Sequence, residues 1–472
     1  MRVRRSLFAV LGLVVVMGVT AGLAAAGAVS WGTAIEVPGT ATLNVLGQAH
    51  TNSVSCGSAG SCAAAGSYLD DAHRLQAFVV SEKGGVWGNA IEVPGTAALN
   101  LGGYAELSSV SCASAGNCSA GGFYLDGSGN RQAFVVSETN KVWGHAHKVP
   151  GTAALNVGGY AWVTSVSCRS AGNCSAGGYY LDGSNNEQAF VVSQRSGVWG
   201  KAIEVPGTAA LNVDGRAQVS SVSCGSSGNC VAGGYYLDKS NNEQAFVVNQ
   251  KNGTWNKAIE VRGTAALNVD GRARVSSVSC HSAGNCSAGG YYADQFLNYQ
   301  EFVVSETSGV WGKAVEVPGL ETLNLGGDAR VFSVSCASAG NCSAGGAYSD
   351  QSGHRQPFVV SQTNGVWGNA QALTIANYVH ASLTTVSCAS AGNCAAGGFY
   401  TDSSNQGQAF VAAQTNGVWG SAVEVPGTAA LNVSSQGIGG VNSVSCASVG
   451  KCAIGGYYND GSDYIQAFVT VP

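Results

Sequence analysis

Along nearly the whole chain the apolar residues come in short runs separated by clusters of Gly, Asn, Asp and Ser, without the period of a long amphipathic helix. Between Val163 and Gly207 four such runs follow one another. VTSVSC ends at Cys168, CSAGGYYL follows, EQAFVVSQ comes after the polar turn DGSNN, and GVWGKAIEV stops at Pro206 and Gly207. Each has the length and bounds of a β-strand. Alternation puts Trp199, Ile203 and Val205 on one face of the last strand and Glu204 on the other. QAFVVS is apolar on both faces, as a strand covered on both sides requires.

This four-strand unit recurs. Its first Cys returns every 56 residues five times, then after 52 and after 58, which makes the internal repeat the organising fact of the chain. Eight C-x5-C pairs result: Cys56 and Cys62, Cys112 and Cys118, Cys168 and Cys174, Cys224 and Cys230, Cys280 and Cys286, Cys336 and Cys342, Cys388 and Cys394, Cys446 and Cys452. Two thiols per unit fall short of a four-ligand zinc site, so each pair reads as a disulfide across a tight turn and no metal is expected there. In the chain-entropy model each such loop contributes roughly 2 kcal/mol. Four short strands per unit, eight times over, predict an all-β, eight-bladed β-propeller of four-stranded blades. A solenoid is the alternative, with usually shorter coils and capping ends.

Seven tryptophans lie 31 residues after a first Cys: Trp87, Trp143, Trp199, Trp255, Trp311, Trp367 and Trp419. The eighth unit ends at QAFVTVP before reaching its own, and Trp31 in VSWGTAIEVPGT supplies it. Residues 31–38 are therefore expected to form the outermost strand of blade eight, closing the ring and leaving no open sheet edge.

Ahead of that strand stand Arg2, Arg4 and Arg5, an apolar run from Leu7 to Val19 and small residues up to Ala28, the pattern of a secretory signal peptide over residues 1–28; an uncleaved membrane anchor is the alternative, and the Ala-rich end favours cleavage. Residues 29–472 then form one propeller domain, a monomer, secreted or at the cell surface, with no membrane span once the leader is cleaved. Removing three arginines takes the formal charge from −5 to −8, and only 10% of residues are charged. Bulk attraction to nucleic acid or an acidic membrane is excluded.

The units built on SVSCASAGNCSAGGYY and QAFVVSQTNGVWG resemble repeats of secreted actinobacterial proteins over essentially the whole chain after the leader. The resemblance implies a propeller and an extracellular address, and supplies no activity. The turn SQTNGVW, Ser361 to Trp367, resembles a degenerate Asp-box, the Ser-x-Asp-x-Gly-x-x-Trp turn of sialidase-like propellers. Thr363 stands in place of the Asp and one residue is missing before Trp367. The arginine triad and acid/base set of sialidases map nowhere on the chain, so the resemblance carries over no catalytic residue.

Comparing the eight copies separates scaffold from candidates. Every unit has Tyr 12, Asp 14, Gln 20 and Phe 22 residues after its first Cys. The Asp opens a DGSNN-like turn and reads as a cap for local N–H groups. Calcium is the alternative reading of the same oxygens, without the spaced carboxylates of a calcium loop. Gln and Phe read as hydrogen bonding and packing within the blade.

Two positions ahead of each innermost strand vary instead. They read Gln48/His50, Tyr104/Glu106, Tyr160/Trp162, Arg216/Gln218, Arg272/Arg274, Asp328/Arg330, His380/Ser382 and Ile438/Gly440. In a propeller with this strand order they are expected to ring the mouth of the central channel. Tyr104, Glu106, Tyr160, Trp162, Arg216, Arg272, Arg274, Asp328 and Arg330 are the candidate ligand-binding residues. Exposed aromatics beside arginines and acids suit a sugar, an acidic glycan or a peptide, although neutral drift on exposed loops would also vary them. His145 and His147 permit a metal but read as an exposed edge, and His281 is a single substitution in a disulfide turn.

No Ser-His-Asp pattern, phosphate loop or metalloprotease motif is present, and no cofactor is expected. The reading is a non-enzymatic binding module for an extracellular glycan or protein. One alternative is a glycoside hydrolase or lyase at the channel mouth using Glu106 and Asp328, which would need its carboxyls roughly 5 to 10 Å apart. Another is a structural surface protein.

Overall fold

The computed structural model describes residues 31–434 and 437–471; the expected leader lies outside them. Blade two shows the plan. Its innermost strand Ala105–Ser114 pairs with Asn117–Leu125, that with Arg131–Thr139, and the last with Val142–Trp143 and His147–Lys148, all antiparallel. Eight such sheets span 50–92, 105–148, 161–204, 217–260, 274–315, 329–372, 378–424 and 440–471 with 33–36. The innermost strands pack side by side into a closed ring, Gly440–Ser448 returning against His50–Ser58. The chain is an eight-bladed β-propeller. No helix among the described residues is long and apolar enough to cross a membrane.

The repeated motifs each have a mechanical reason. In SVSC the two serines zip adjacent blades: Ser53 Oγ accepts the Val110 N–H at 3.1 Å and Ser55 Oγ the Cys112 N–H at 2.9 Å. The same pair of bonds closes the ring from Ser443 and Ser445 to Val54 and Cys56. In AGGYY the glycines permit close approach. A Cβ on Gly122 would lie 1.9 Å from the Glu106 carbonyl, and one on Gly121 would lie 2.6 Å from Val163 of the next blade. The Phe that follows the invariant Gln is fully buried in all eight blades, from Phe78 to Phe468. Each C-x5-C pair is a disulfide across the first hairpin, as in Cys112–Cys118, where the two residues face each other in register. No described cysteine is free.

One expectation needs correction. The fourth strand is not continuous in any blade that has both of its pieces: Val198–Trp199 and Ile203–Glu204 pair separately with the third strand. Trp199 faces Gln194 and Ile203 faces Val191, so the outer chain uses one more residue than its partner. That bulge breaks the alternation. Ile203 is 43% exposed, whereas Ala202 and Val205 turn inward at 6% and 1%.

Blade eight closes as expected. Thr33–Glu36 pairs with the last strand from Thr33 opposite Val471 to Glu36 opposite Phe468, and Trp31 packs on the core of blades seven and eight.

Candidate functional site

A hydrogen-bond relay sets the backbone of six of the eight variable doublets. Asp126 Oδ1 accepts the N–H groups of Ser128 and Asn130 at 2.9 and 3.0 Å, and its Oδ2 accepts Gln132 Nε2 at 2.8 Å. Burial alone would raise the Asp126 carboxyl, but these hydrogen bonds outweigh it and hold the group below the ordinary carboxylate range. Gln132 Oε1 then accepts Asn156 Nδ2 at 3.2 Å, and Asn156 Oδ1 accepts the Tyr160 N–H at 2.7 Å. The invariant Asp thus caps its turn, and the invariant Gln carries that order into the next blade. Between blades six and seven, where the repeat is shortest, the Tyr378 hydroxyl replaces Asn and donates to Gln356. No group of three or more His, Cys, Asp or Glu side chains converges among the described residues.

The doublets lie at the end of the sheets that carries the Asp turns, and they meet residues that the sequence reading passed over. In six doublets the first member bridges the residue just before the invariant Gln of the preceding blade: Gln48 with Ile465, Tyr104 with Leu75, Tyr160 with Arg131, Arg216 with Glu187, Arg272 with Glu243, Asp328 with Tyr299. The second lies opposite the residue before the invariant Tyr: Glu106 and Phe123, Trp162 and Tyr179, Gln218 and Tyr235, Arg274 and Tyr291. The signal was present in the repeats. The residue before the invariant Gln varies as freely as the doublet, from Leu75, Arg131, Glu187 and Glu243 to Tyr299 and Arg355.

Blades two and three form an aromatic cluster around one guanidinium. The Arg131 side chain lies 4.1 Å from the Phe123 ring centre, 4.3 Å from Tyr160 and 5.2 Å from Trp162, and donates to the Tyr160 hydroxyl. Tyr104 stacks on Phe123 at 5.5 Å and is 41% exposed. Tyr160 and Trp162, expected to be exposed, are only half so, and the Trp162 indole donates to Ser108 Oγ at 2.6 Å. Arg131 makes no ion pair among the described residues.

Blades four to six carry a charge network. Arg274 Nε donates to Glu243 Oε2 at 2.6 Å, with a second contact from Nη2, and lies 3.9 Å over Tyr235. Arg216 reaches both Glu187 and Glu243, at 3.6 and 3.5 Å. Arg272 pairs with Asp270 at 3.7 Å and donates to the Tyr299 hydroxyl at 3.0 Å. Arg330 pairs with Asp328 at 2.8 Å and lies 4.0 Å over Tyr299. The nine sequence candidates thus fall into an aromatic group and a compensated ionic group.

The two carboxylates of the enzyme alternative have partners of their own. Glu106 accepts Asn52 Nδ2 at 3.1 Å, and burial raises its carboxyl against the opposing pull of Arg131. Asp328 is held by Arg330. His145 and His147 are both exposed at the outer edge of blade two.

No protein-family model and no curated protein sequence matches the chain. Among solved structures, it is similar to the BP39L lectin from Burkholderia pseudomallei (12% identity, TM-score 0.42, covering 79% of this chain and 99% of that one). It is also similar to the β-propeller domain of the Trilobed protease from Pyrococcus furiosus (7% identity, TM-score 0.43, 80% and 97% covered). A third is the Hadza microbial sialidase Hz136 (11% identity, TM-score 0.38, 93% and 68% covered). At these identities and TM-scores the neighbours assign neither a ligand nor an activity.

Proposed function

We propose that the protein is a secreted, non-enzymatic binding module whose Asp-turn rim presents its variable residues to an extracellular glycan or protein. The observation that carries this reading is the contrast on that rim. One relay fixes the backbone at six of the eight doublets, while the side chains above it change from blade to blade and join into a strip of rings, arginines and acids across blades two to six. A rigid frame under variable side chains keeps the ordering cost of recognition low. Eight disulfides suit an oxidising, extracellular compartment.

A glycan array probed with the wild type and with the Tyr160→Ala/Trp162→Ala variant tests it. The expected result is binding to a subset of glycans that the variant loses by about tenfold or more, the scale of one or two lost aromatic contacts. Binding unchanged in the variant rejects the rim as the site. Binding to no glycan moves the reading to a protein partner.

A further inference from the structure

The seam between blades four and five carries four residues that the other seams do not. At four places blade four departs from the other blades: Val231 stands where they have Ser or Ala, Asn249 where they have Ser, Ala or Val, Asn256 where they have Gly, and Arg262 where they have Pro or Thr. All four residues line one continuous groove at the disulfide-turn end and outer edge of the seam. It consists of cavities of about 520 and 330 Å³ that share Asn249, Asn256 and Gly309.

The neighbouring seam shows what the substitutions undo. Between blades three and four, Gln250 donates to Ser193 Oγ at 2.7 Å and accepts from Ser175 at 3.5 Å, and Arg195 reaches across to the Gly253 carbonyl at 2.7 Å. Every polar group at that floor has a partner. Between blades four and five, Val231 removes the serine hydroxyl, Glu306 stands where blade four has Gln250 and where blades one and two have Glu82 and Glu138, and Asn249 joins the Trp311 indole (2.9 Å) to one Glu306 oxygen. Glu306 is 3% exposed, lines the groove, and its other oxygen has no partner among the described residues, as is the case for both oxygens of Glu82 at the seam between blades eight and one. A buried acceptor left in that state costs about 1–3 kcal/mol unless a donor arrives.

The groove's outer lip is cationic. Lys257 and Arg262 are exposed, and neither they nor Lys251 makes an ion pair among the described residues. The Asn256 amide, exposed beside them, has no hydrogen-bond partner there either.

We infer that this groove binds an acidic oligosaccharide. Its hydroxyls exchange hydrogen bonds with Asn256, and its carboxylates lie against Lys257 and Arg262. The site is separate from the Asp-turn rim, at the opposite end of the sheets, and stands whether or not that rim binds a glycan.

Calorimetric titration of the full chain with tetragalacturonate and with neutral cellotetraose tests the assignment. Tetragalacturonate is expected to bind and cellotetraose to bind at least about tenfold more weakly, the size of one lost charge-assisted contact. The variant Asn249→Ser/Asn256→Gly/Arg262→Pro installs residues that other blades already carry, and is expected to lose about tenfold or more. Lys257→Ala/Arg262→Ala, at two exposed positions, is expected to do the same if the first variant folds poorly. Tyr160→Ala/Trp162→Ala is expected to leave this binding unchanged. The assignment is overturned if tetragalacturonate does not bind, if cellotetraose binds as tightly, or if folded groove variants retain full affinity.

Discussion

Blade eight is assembled from residues more than 400 positions apart, and blade five from one continuous stretch, yet blade eight is the more regular of the two. In blade eight the Ala34 N–H reaches the Pro426 carbonyl at 2.7 Å and the Val37 N–H the Ala467 carbonyl at 2.9 Å. Blade one shows the same bonds, Ala90 to Pro38 and Val93 to Ala77, at the same lengths. In blade five, Glu301 stands where six blades have Ala and one has Pro357. Its Oε1 takes the Val317 N–H at 3.1 Å, a bond that a main-chain carbonyl accepts elsewhere. The outer strand beside it shrinks to the single bridge Val303–Val315, and the following turn is a 3-10 helix, Leu320–Thr322. Regularity here depends on whether each side chain suits its place in the pleat. Distance along the chain matters little, because the entropy of joining distant segments grows only slowly with their separation.

The largest test of that comparison removes the distant strand. Deleting residues 31–38 uncovers the edge of the last strand and takes away Ala34 and Val37, 4% and 1% exposed. Lost burial and four residues of pairing together are expected to cost more than about 5 kcal/mol. Thermal unfolding and secreted yield are the measurements. Wild-type stability in the deletion variant would mean that blade eight does not depend on this strand.

Much of this was legible beforehand, and the failures share a cause. Strand runs, cysteine spacing and the displaced Trp31 are properties of the chain read in order, and each led to the fold. The break after Trp199 was hidden, because a one-residue bulge leaves the alternation of GVWGKAIEV looking intact. The partners of the doublets were hidden too. Arg131 and Tyr160 lie 29 residues apart in different blades and meet only when the seam forms. Glu243 could be seen as a varying position, but its clasp of Arg274 could not. A periodic sequence reports its frame eight times over, and reports contacts between unlike blades not at all.

A second test restores blade five. Burial, reinforced by Glu316 and Glu321 and opposed by the Val317 N–H, pushes the Glu301 carboxyl up to about 8. A carboxyl raised on folding favours the native state least where the unfolded chain ionises freely. Its contribution is intact below about pH 4.5 and is lost as pH rises through 8, the loss reaching roughly 3 kcal/mol by pH 7. Glu301→Ala, the residue of six other blades, is expected to be more stable than wild type at pH 7 to 8 and to flatten the decline. Glu82, Glu138 and Glu306 are also raised by burial and remain in both proteins, so the difference isolates Glu301. Parallel unfolding curves at pH 5 and pH 8 would show that Glu301 does not control this blade.

The smallest expected effect is the most discriminating. Asn44 donates to Gln466 Oε1 at 2.8 Å and to the Ile465 carbonyl at 3.0 Å, joining the start of the described chain to its end. Asn100 makes the same two bonds to Gln76 and Leu75, at 2.9 and 3.1 Å, between blades adjacent in sequence. Both amides are buried, so Asn→Ala strands a glutamine oxygen and a carbonyl in each case, at about 1–3 kcal/mol. If the closing seam is an ordinary seam, Asn44→Ala and Asn100→Ala lose the same stability, within the roughly 0.5 kcal/mol that separates equivalent independent sites. Denaturant unfolding of the two variants measures it. A much smaller loss for Asn44→Ala would mean that the ring already opens at this seam before the rest unfolds, and that blade eight is regular in geometry but weaker in energy.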